Sequence, residues 1–237
     1  MKRIIFRTDK ALIVFRMDKT TNKKIATKKE KIVQTYSFSR DQFEIAKERT
    51  NMKTFFSADG SVCMDCPFSV NNGAKLSACY THKVMQYSGF LSTLRSIHKT
   101  HLNWESIPML TDEISAKIIS LCADKYVRFG TYGEPSLIPV NLVKSIVNVS
   151  KSHTGYTHQW AKKPEFAQFF MASVHNTFGE NIARKMGYRS FVATKNSIKE
   201  FTQCPASKEA GFKSNCSKCG LCSGNRKGTK SIVILEH

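Results

Sequence analysis

Four thiols fall within nineteen residues late in the chain, at Cys204, Cys216, Cys219 and Cys222. Three of them are spaced as successive C-x-x-C steps, which lets one tight loop aim several sulfurs at a common centre. A second group stands earlier, at Cys63, Cys66 and Cys79, so the two groups use seven of the eight cysteines. Thiolates select zinc, copper(I) and iron–sulfur clusters over hard cations, so metal or cluster binding is the chemistry this pattern implies. The C-terminal set admits a four-thiolate zinc site or a 4Fe–4S cluster. Its three close thiols, with one remote Cys followed by Pro205, are nearer to ferredoxin-type ligation than to two paired zinc knuckles.

For the earlier set the reading stays open between two arrangements. Cys63, Cys66 and Cys79 with His82, three residues further on, form a C-x-x-C…C-x-x-H zinc pattern. The same three thiols without the histidine would hold a cluster with one open iron position. His82 is then an ordinary helix-start residue, and the plainest alternative makes all of these cysteines buried thiols. Cys122 has no partner cysteine nearby and falls on an apolar helix face, as a small core residue does.

Other residues with chemical potential lie between the two groups. Gly133-Glu134-Pro135 fixes the direction of one carboxylate between a residue that turns freely and one that does not. Gly155-Tyr156-Thr157-His158-Gln159-Trp160 offers a histidine as proton carrier or ligand, and Tyr156 and Trp160 as rings able to stack on a base. The chain has no P-loop, no G-x-G-x-x-G and no nucleophile elbow.

The elements that must position these residues can be read from periodicity. Arg3–Phe6, Leu12–Arg16 and Ile32–Phe38 read as strands, Arg40–Arg49 as a helix capped by Ser39, and Lys53–Ser57 as a strand-like approach to the first cysteine loop. His82–His98 and Thr111–Lys125 carry helical apolar spacing. Strands then alternate with helices: Tyr126–Phe129, Pro139–Ser150, Thr154–His158, Pro164–Phe170 as a short helix or turn, Met171–His175, Glu180–Met186 and Arg189–Thr194. Ser231–Leu235 is a last strand. Such alternation predicts parallel strands, whose C-terminal ends gather functional side chains.

Lys and Arg number 37 against 18 Asp and Glu, a formal charge of +19. A chain this basic attracts polyanions, nucleic acid foremost, through its long-range field and counterion release. No apolar run reaches the ~20 residues of a membrane span, and the first residues lack the apolar stretch of a secretory signal. Cysteines in a chain of that kind are expected to stay reduced, in the cytoplasm.

The G-E-P loop, placed between a strand and a helix, resembles that of radical S-adenosylmethionine enzymes, as does the order of cysteine loop, G-E-P loop and C-terminal cysteine-rich segment. The chain is also similar to cysteine-rich, phage-encoded proteins that carry C-x-x-C-P…C-Y (Cys63–Pro67, Cys79-Tyr80), G-E-P, G-Y-T-H-x-W (Gly155–Trp160) and C-P-A-S…C-x-x-C-x-x-C. It departs from the radical-SAM pattern C-x-x-x-C-x-x-C, since twelve residues separate Cys66 from Cys79. The resemblance implies an α/β fold, a partial TIM-like parallel (β/α) barrel. Its parts are an N-terminal β-rich accessory layer (1–55), a radical-SAM-like core (56–200) and a Cys-rich cluster-binding segment with a final strand (201–237). It implies one or two 4Fe–4S clusters (zinc being the alternative) held by Cys63, Cys66 and Cys79 and by Cys204, Cys216, Cys219 and Cys222. It also implies S-adenosylmethionine contacts from Gly133, Glu134, Pro135, Tyr156 and Trp160, with Glu134 and His158 as catalytic groups. The expected function is radical-SAM-like action on nucleic acid or nucleotides. The alternative is a nucleic-acid-binding protein whose zinc or iron–sulfur sites only staple the fold.

Overall fold

The structure is a computed structural model describing residues 2–20, 22–196, 198–225 and 229–235. Its first sheet holds β1 (Lys2–Arg7), β2 (Leu12–Lys19), β3 (Lys31–Phe38), β4 (Tyr126–Tyr132) and β5 (Ser152–Thr154), in that order. In the first three strands each runs antiparallel to its neighbour, while β3, β4 and β5 are parallel neighbours. The second sheet is wholly parallel, with order β6 (Tyr156–Thr157), β7 (Met171–Val174), β8 (Ser190–Thr194), β10 (Ile232–Leu235) and β9 (Thr202–Gln203). The last strand in sequence thus lies between two others.

Eight α-helices accompany these strands among the described residues: α1 (Arg40–Ile45), α2 (Met52–Ser57), α3 (Gly60–Cys63), α4 (Val84–His98), α5 (Asp112–Cys122), α6 (Val140–Val149), α7 (Thr177–Lys185) and α8 (Cys216–Cys219). The fold is therefore mixed α/β with parallel sheets, and no strand pairing among the described residues closes them into a barrel.

Three expectations are corrected. Residues 1–55 do not form a layer of their own, because β3 pairs directly with β4 and makes the N-terminal strands one edge of the sheet that carries the core. Lys53–Ser57 is helical: Asn51 caps α2 by accepting from the Thr54 N–H, and the consecutive Phe55 and Phe56 are both buried, which a half-buried strand's alternation forbids. Thr154–His158 is not one strand. The segment serves both sheets, β5 in the first and β6 in the second, with Gly155 at the break. A Cβ on Gly155 would lie 2.4 Å from a ring carbon of Phe170, so only glycine allows the chain to pass there.

Helices α5 and α6 bury Ile118, Leu142, Val143 and Ile146 against one face of the first sheet, through Val33 and Val127. Helix α4 covers part of the opposite face, packing Phe90 and Leu94 with Leu12, Val14, Tyr36 and Phe38. Cys122 joins the first of these cores with no exposure, and burial pushes its thiol up to about 12. As the sequence suggested, it is a packing residue.

Candidate functional site

Cys63 ends α3, and the loop that follows carries Cys66 and Cys79. Burial pushes the Cys63 thiol well up, with Asp59 adding to the effect and Cys66 and Cys79 contributing, so the three sulfurs feel one another. Burial also pushes Cys66 up to about 12 and raises Cys79, whose sulfur lies 3.0 Å from the Thr81 hydroxyl. The organising group is a residue that the cysteine spacing does not reveal. Asp59 is wholly buried, and its carboxylate accepts from Cys63 Sγ (3.1 Å), Ser69 Oγ (3.1 Å), Asn71 Nδ2 (2.8 Å) and the Tyr132 hydroxyl (3.1 Å).

The His82 ring stacks on Phe56. Its Nδ1 lies 3.0 Å from the Leu76 carbonyl and its Nε2 3.9 Å from Asp59. Both ring nitrogens thus face groups other than the three thiols, which argues for the ordinary helix-start reading of His82.

The G-E-P loop is fastened to this cysteine loop. The Glu134 N–H donates to the Val62 carbonyl at 2.7 Å, one residue before Cys63. Gly133 has φ +72, and a Cβ there would stand 2.6 Å from the Ser37 carbonyl oxygen, so the loop's approach to β3 requires glycine. The Glu134 side chain is buried. Its carboxylate accepts from the Ser136 N–H (3.1 Å) and the His158 N–H (3.1 Å), with Thr157 as a further partner. Burial raises its pKa against the opposing effect of these bonds. Glu134 was expected to act directly on cofactor or substrate; its carboxylate is instead committed to tying its own loop to the end of β6. Pro135 is buried beside it.

His158 follows β6, and its ring stacks on His175, which follows β7, at 5.8 Å between centroids. Phe68 of the cysteine loop meets His175 edge-on at 4.8 Å, and Asp65 of the same loop bonds Lys162. The ends of β6 and β7 therefore sit under the cysteine loop, as the parallel topology predicts. His158 Nε2 is buried without a hydrogen-bond partner, and burial, then His175, lowers this imidazole to about 4. A histidine kept neutral by the fold makes the native state acid-labile: the unfolded chain takes up the proton first, near pH 6.5. Stability attributable to His158 should therefore be intact above that pH and lost progressively down to about 4, by roughly 3 kcal/mol. Urea midpoints at pH 7 and pH 4.5 should fall further in the natural protein than in His158→Gln.

Tyr156 was expected to share a cofactor with Glu134. It does not, because successive strand residues point to opposite faces: Thr157 reaches Glu134, while Tyr156 turns to the other cysteine group. Trp160 packs against the main core.

The second group surrounds a small cavity lined by Cys204, Cys216, Cys219 and Cys222 with Tyr156, Thr154 and Leu221. Each thiol arrives on a different support. The Cys204 N–H donates to the Val233 carbonyl at 2.9 Å, and that of Cys216 to Lys24 at 2.8 Å. Helix α8, between Cys216 and Cys219, is capped by Asn215 and stopped by Gly220 in the left-handed region. The Cys222 carbonyl accepts from Gly155 at 3.2 Å, and burial pushes its thiol up to about 12.

Arg189 fastens this segment to β8. Its buried guanidinium donates to the carbonyls of Leu221 (2.6 Å), Lys230 (3.0 Å) and Gly224 (3.2 Å). Neither Asp59 nor Arg189 carries a sequence motif.

Four soft donors around one cavity, with no carboxylate among its lining residues, suit a thiophilic ion or cluster. Among the described residues, no group of three Cys, His, Asp or Glu side chains stands in an arrangement that could hold a metal ion. The metal reading therefore rests on donor chemistry for both groups and, for the C-terminal one, on the cavity its thiols share. No helix among the described residues is long and apolar enough to cross a membrane. Compared with protein-family models, curated proteins and solved structures, the chain matches none.

Proposed function

We propose that this is an iron–sulfur protein of radical-SAM-like type, a partial parallel barrel that acts in the cytoplasm on nucleic acid or its nucleotides. The observation that carries the reading is the bond from the Glu134 N–H to the Val62 carbonyl, which joins the G-E-P loop to the three-cysteine loop over the ends of parallel strands. In this reading Cys63, Cys66 and Cys79 hold a 4Fe–4S cluster, and the Gly133–Pro135 backbone borders the S-adenosylmethionine beside it. Such a cluster, when bound and reduced, supplies the electron that cleaves S-adenosylmethionine. The chain's own contribution is to position and to exclude water. Asp59 braces the cysteine loop through Ser69, Asn71 and Tyr132, Glu134 anchors the second loop, Phe56 and Phe68 close the surroundings, and His158 Nε2 is the buried atom that could take a proton. Cys204, Cys216, Cys219 and Cys222 would hold a second, closed cluster.

One observation favours the non-enzymatic reading, in which zinc or a cluster only staples a nucleic-acid-binding fold: the Glu134 carboxylate is already occupied by its own loop. Anaerobic purification with iron, sulfide and zinc analysis separates the two. A brown protein with close to eight iron atoms is expected, falling to about four when Cys63, Cys66 and Cys79 are replaced by Ala, and yielding deoxyadenosine from S-adenosylmethionine on reduction. A colourless protein with two zinc ions would overturn the cluster assignment. A brown protein that releases no deoxyadenosine would leave the stapling role.

A further inference from the structure

The strand register places a row of polar side chains across all five strands of the first sheet. Arg3 is paired with Arg16, Arg16 with Gln34, Gln34 with Arg128, and Arg128 with Thr154. Residues directly opposite on neighbouring strands share a face, so these five form one line of roughly 19 Å. The face is the one away from α5 and α6, whose side of the sheet carries Val33 and Val127. At one end the row abuts α4, where Arg3 Nη1 donates to the Thr93 carbonyl (3.4 Å) and Arg16 Nη1 to the Thr93 hydroxyl (3.2 Å). At the other end Thr154 lines the cavity of the C-terminal cysteines.

Arg128 stands out in this row. Arg16 is ion-paired with Asp18, but no ion pair engages Arg128 among the described residues. Its electrostatic neighbours are Tyr80, Tyr126, Tyr156 and Cys216, none of them a carboxylate. Of the five N–H donors on a guanidinium, the one bond it makes goes from Nη2 to the Tyr80 hydroxyl at 3.3 Å. A half-buried planar fork with most of its donors unspent is suited to a phosphate. Beside it Tyr80 is 60% exposed, while the buried Tyr36 packs beneath the Arg16 guanidinium at 5.3 Å. The Lys-rich turn at 22–31 continues the positive surface, since the Lys24 and Ile25 carbonyls hold α8 at the end of the row.

We propose that a single-stranded nucleic acid docks on this face at Arg128 and Tyr80, with Arg128 gripping one phosphate and Tyr80 offering its ring to an adjacent base, while the buried Gln34 and Thr154 hold the row in register beneath. This deepens the nucleic-acid part of the proposed function and names its site between the two cysteine groups. A basic track with interleaved aromatics binds single strands in a salt-dependent way, with stacking that tolerates sequence.

The test is fluorescence anisotropy with labelled 12-mer single-stranded DNA and RNA over a range of salt, on the full chain with its iron content measured in the same samples. Arg128→Met should weaken binding at least tenfold and lower the salt slope by about one, whereas Lys144→Met, on the outer face of α6, should change neither much. Arg128→Lys, which keeps the charge but not the fork, should fall between. Should Arg128→Met fail to fold, photocrosslinking of a 5-iodouracil oligonucleotide to the natural protein decides, with Tyr80 as the expected adduct. Equal small losses for Arg128→Met and Lys144→Met, or adducts confined to residues away from the row, would overturn the proposal. Competition by pyrophosphate as strong as by the oligonucleotide would also overturn it, by reducing the track to a single anion site. Arg128-dependent binding in natural protein found to carry no iron would support the track, while that iron content by itself overturns the cluster reading.

Discussion

Asp59→Ala should destabilise the protein by about 3–5 kcal/mol, since its buried donors lose their acceptor at about 1–3 kcal/mol each. The size follows from what the carboxylate satisfies. Four donors converge on it, from Cys63, Ser69, Asn71 and Tyr132, and truncation strands at least those of the buried Ser69 and Tyr132 away from water. The damage would also spread along a relay. Gln42 Nε2 donates to the Tyr132 hydroxyl at 2.6 Å and to the Phe55 carbonyl at 3.1 Å, while its Oε1 accepts the Ser39 N–H in the capping box of α1. One carboxylate thus couples the first helix, β4 and the cysteine loop. Urea denaturation measures the loss, and alkylation of Cys63 under native conditions should accelerate in parallel. Asp65→Ala is the matched comparison: that carboxylate is exposed and bonded to the exposed Lys162, so its removal should cost about 0.5 kcal/mol or less. Similar midpoints for the two variants would mean that Asp59 is not the hub.

Much of this architecture is legible in the sequence where local chemistry decides it. Ser39 and Thr111 cap their helices as their types predict, and β2 and β3 follow their apolar patterns. The reading fails where distant contacts overrule local pattern. Phe55 and Phe56 invite a strand, but the Asn51 cap and a core that accepts both rings make a helix. Thr154–His158 has the composition of one strand, and only the Phe170 ring against Gly155 shows why it divides between two sheets.

The same division explains the site. Clustered thiols announce themselves by spacing, and the G-E-P loop by its turn chemistry. Glu134 looks like an exposed functional acid because nothing in sequence places the Ser136 and His158 amides around it. Tyr156 appears to belong with His158 until the pleat sends it to the other face. Asp59 and Arg128 are single polar residues whose roles come from partners many positions away. For Arg128 the partners are Tyr80, 48 residues distant, and a register fixed by three other strands.

Arg189→Met should release the C-terminal cysteine segment while leaving the first sheet folded. Arg189 is 2% exposed, and its side chain holds three carbonyls, of Leu221, Gly224 and Lys230, that run from the last thiols to the start of β10. A methionine fills similar space but donates nothing, so those acceptors would be left under-satisfied at about 1–3 kcal/mol each. The total should exceed about 3 kcal/mol, concentrated in β10, α8 and the thiol cavity. Arg189→Lys keeps the charge but reaches three divergent carbonyls poorly, and should recover less than half of the loss. Hydrogen exchange locates the effect: faster exchange at Cys204, Cys216 and Gly155, whose N–H groups lie in or against the segment, with the β2–β3 ladder unchanged. Cys222, now buried, should become open to alkylation, and any iron bound by the four C-terminal thiols should be lost before that of the Cys63 group. A uniform drop across both sheets would instead make Arg189 a global core residue. Unchanged protection would show that the backbone ladder of β8 with β10 holds the segment without it.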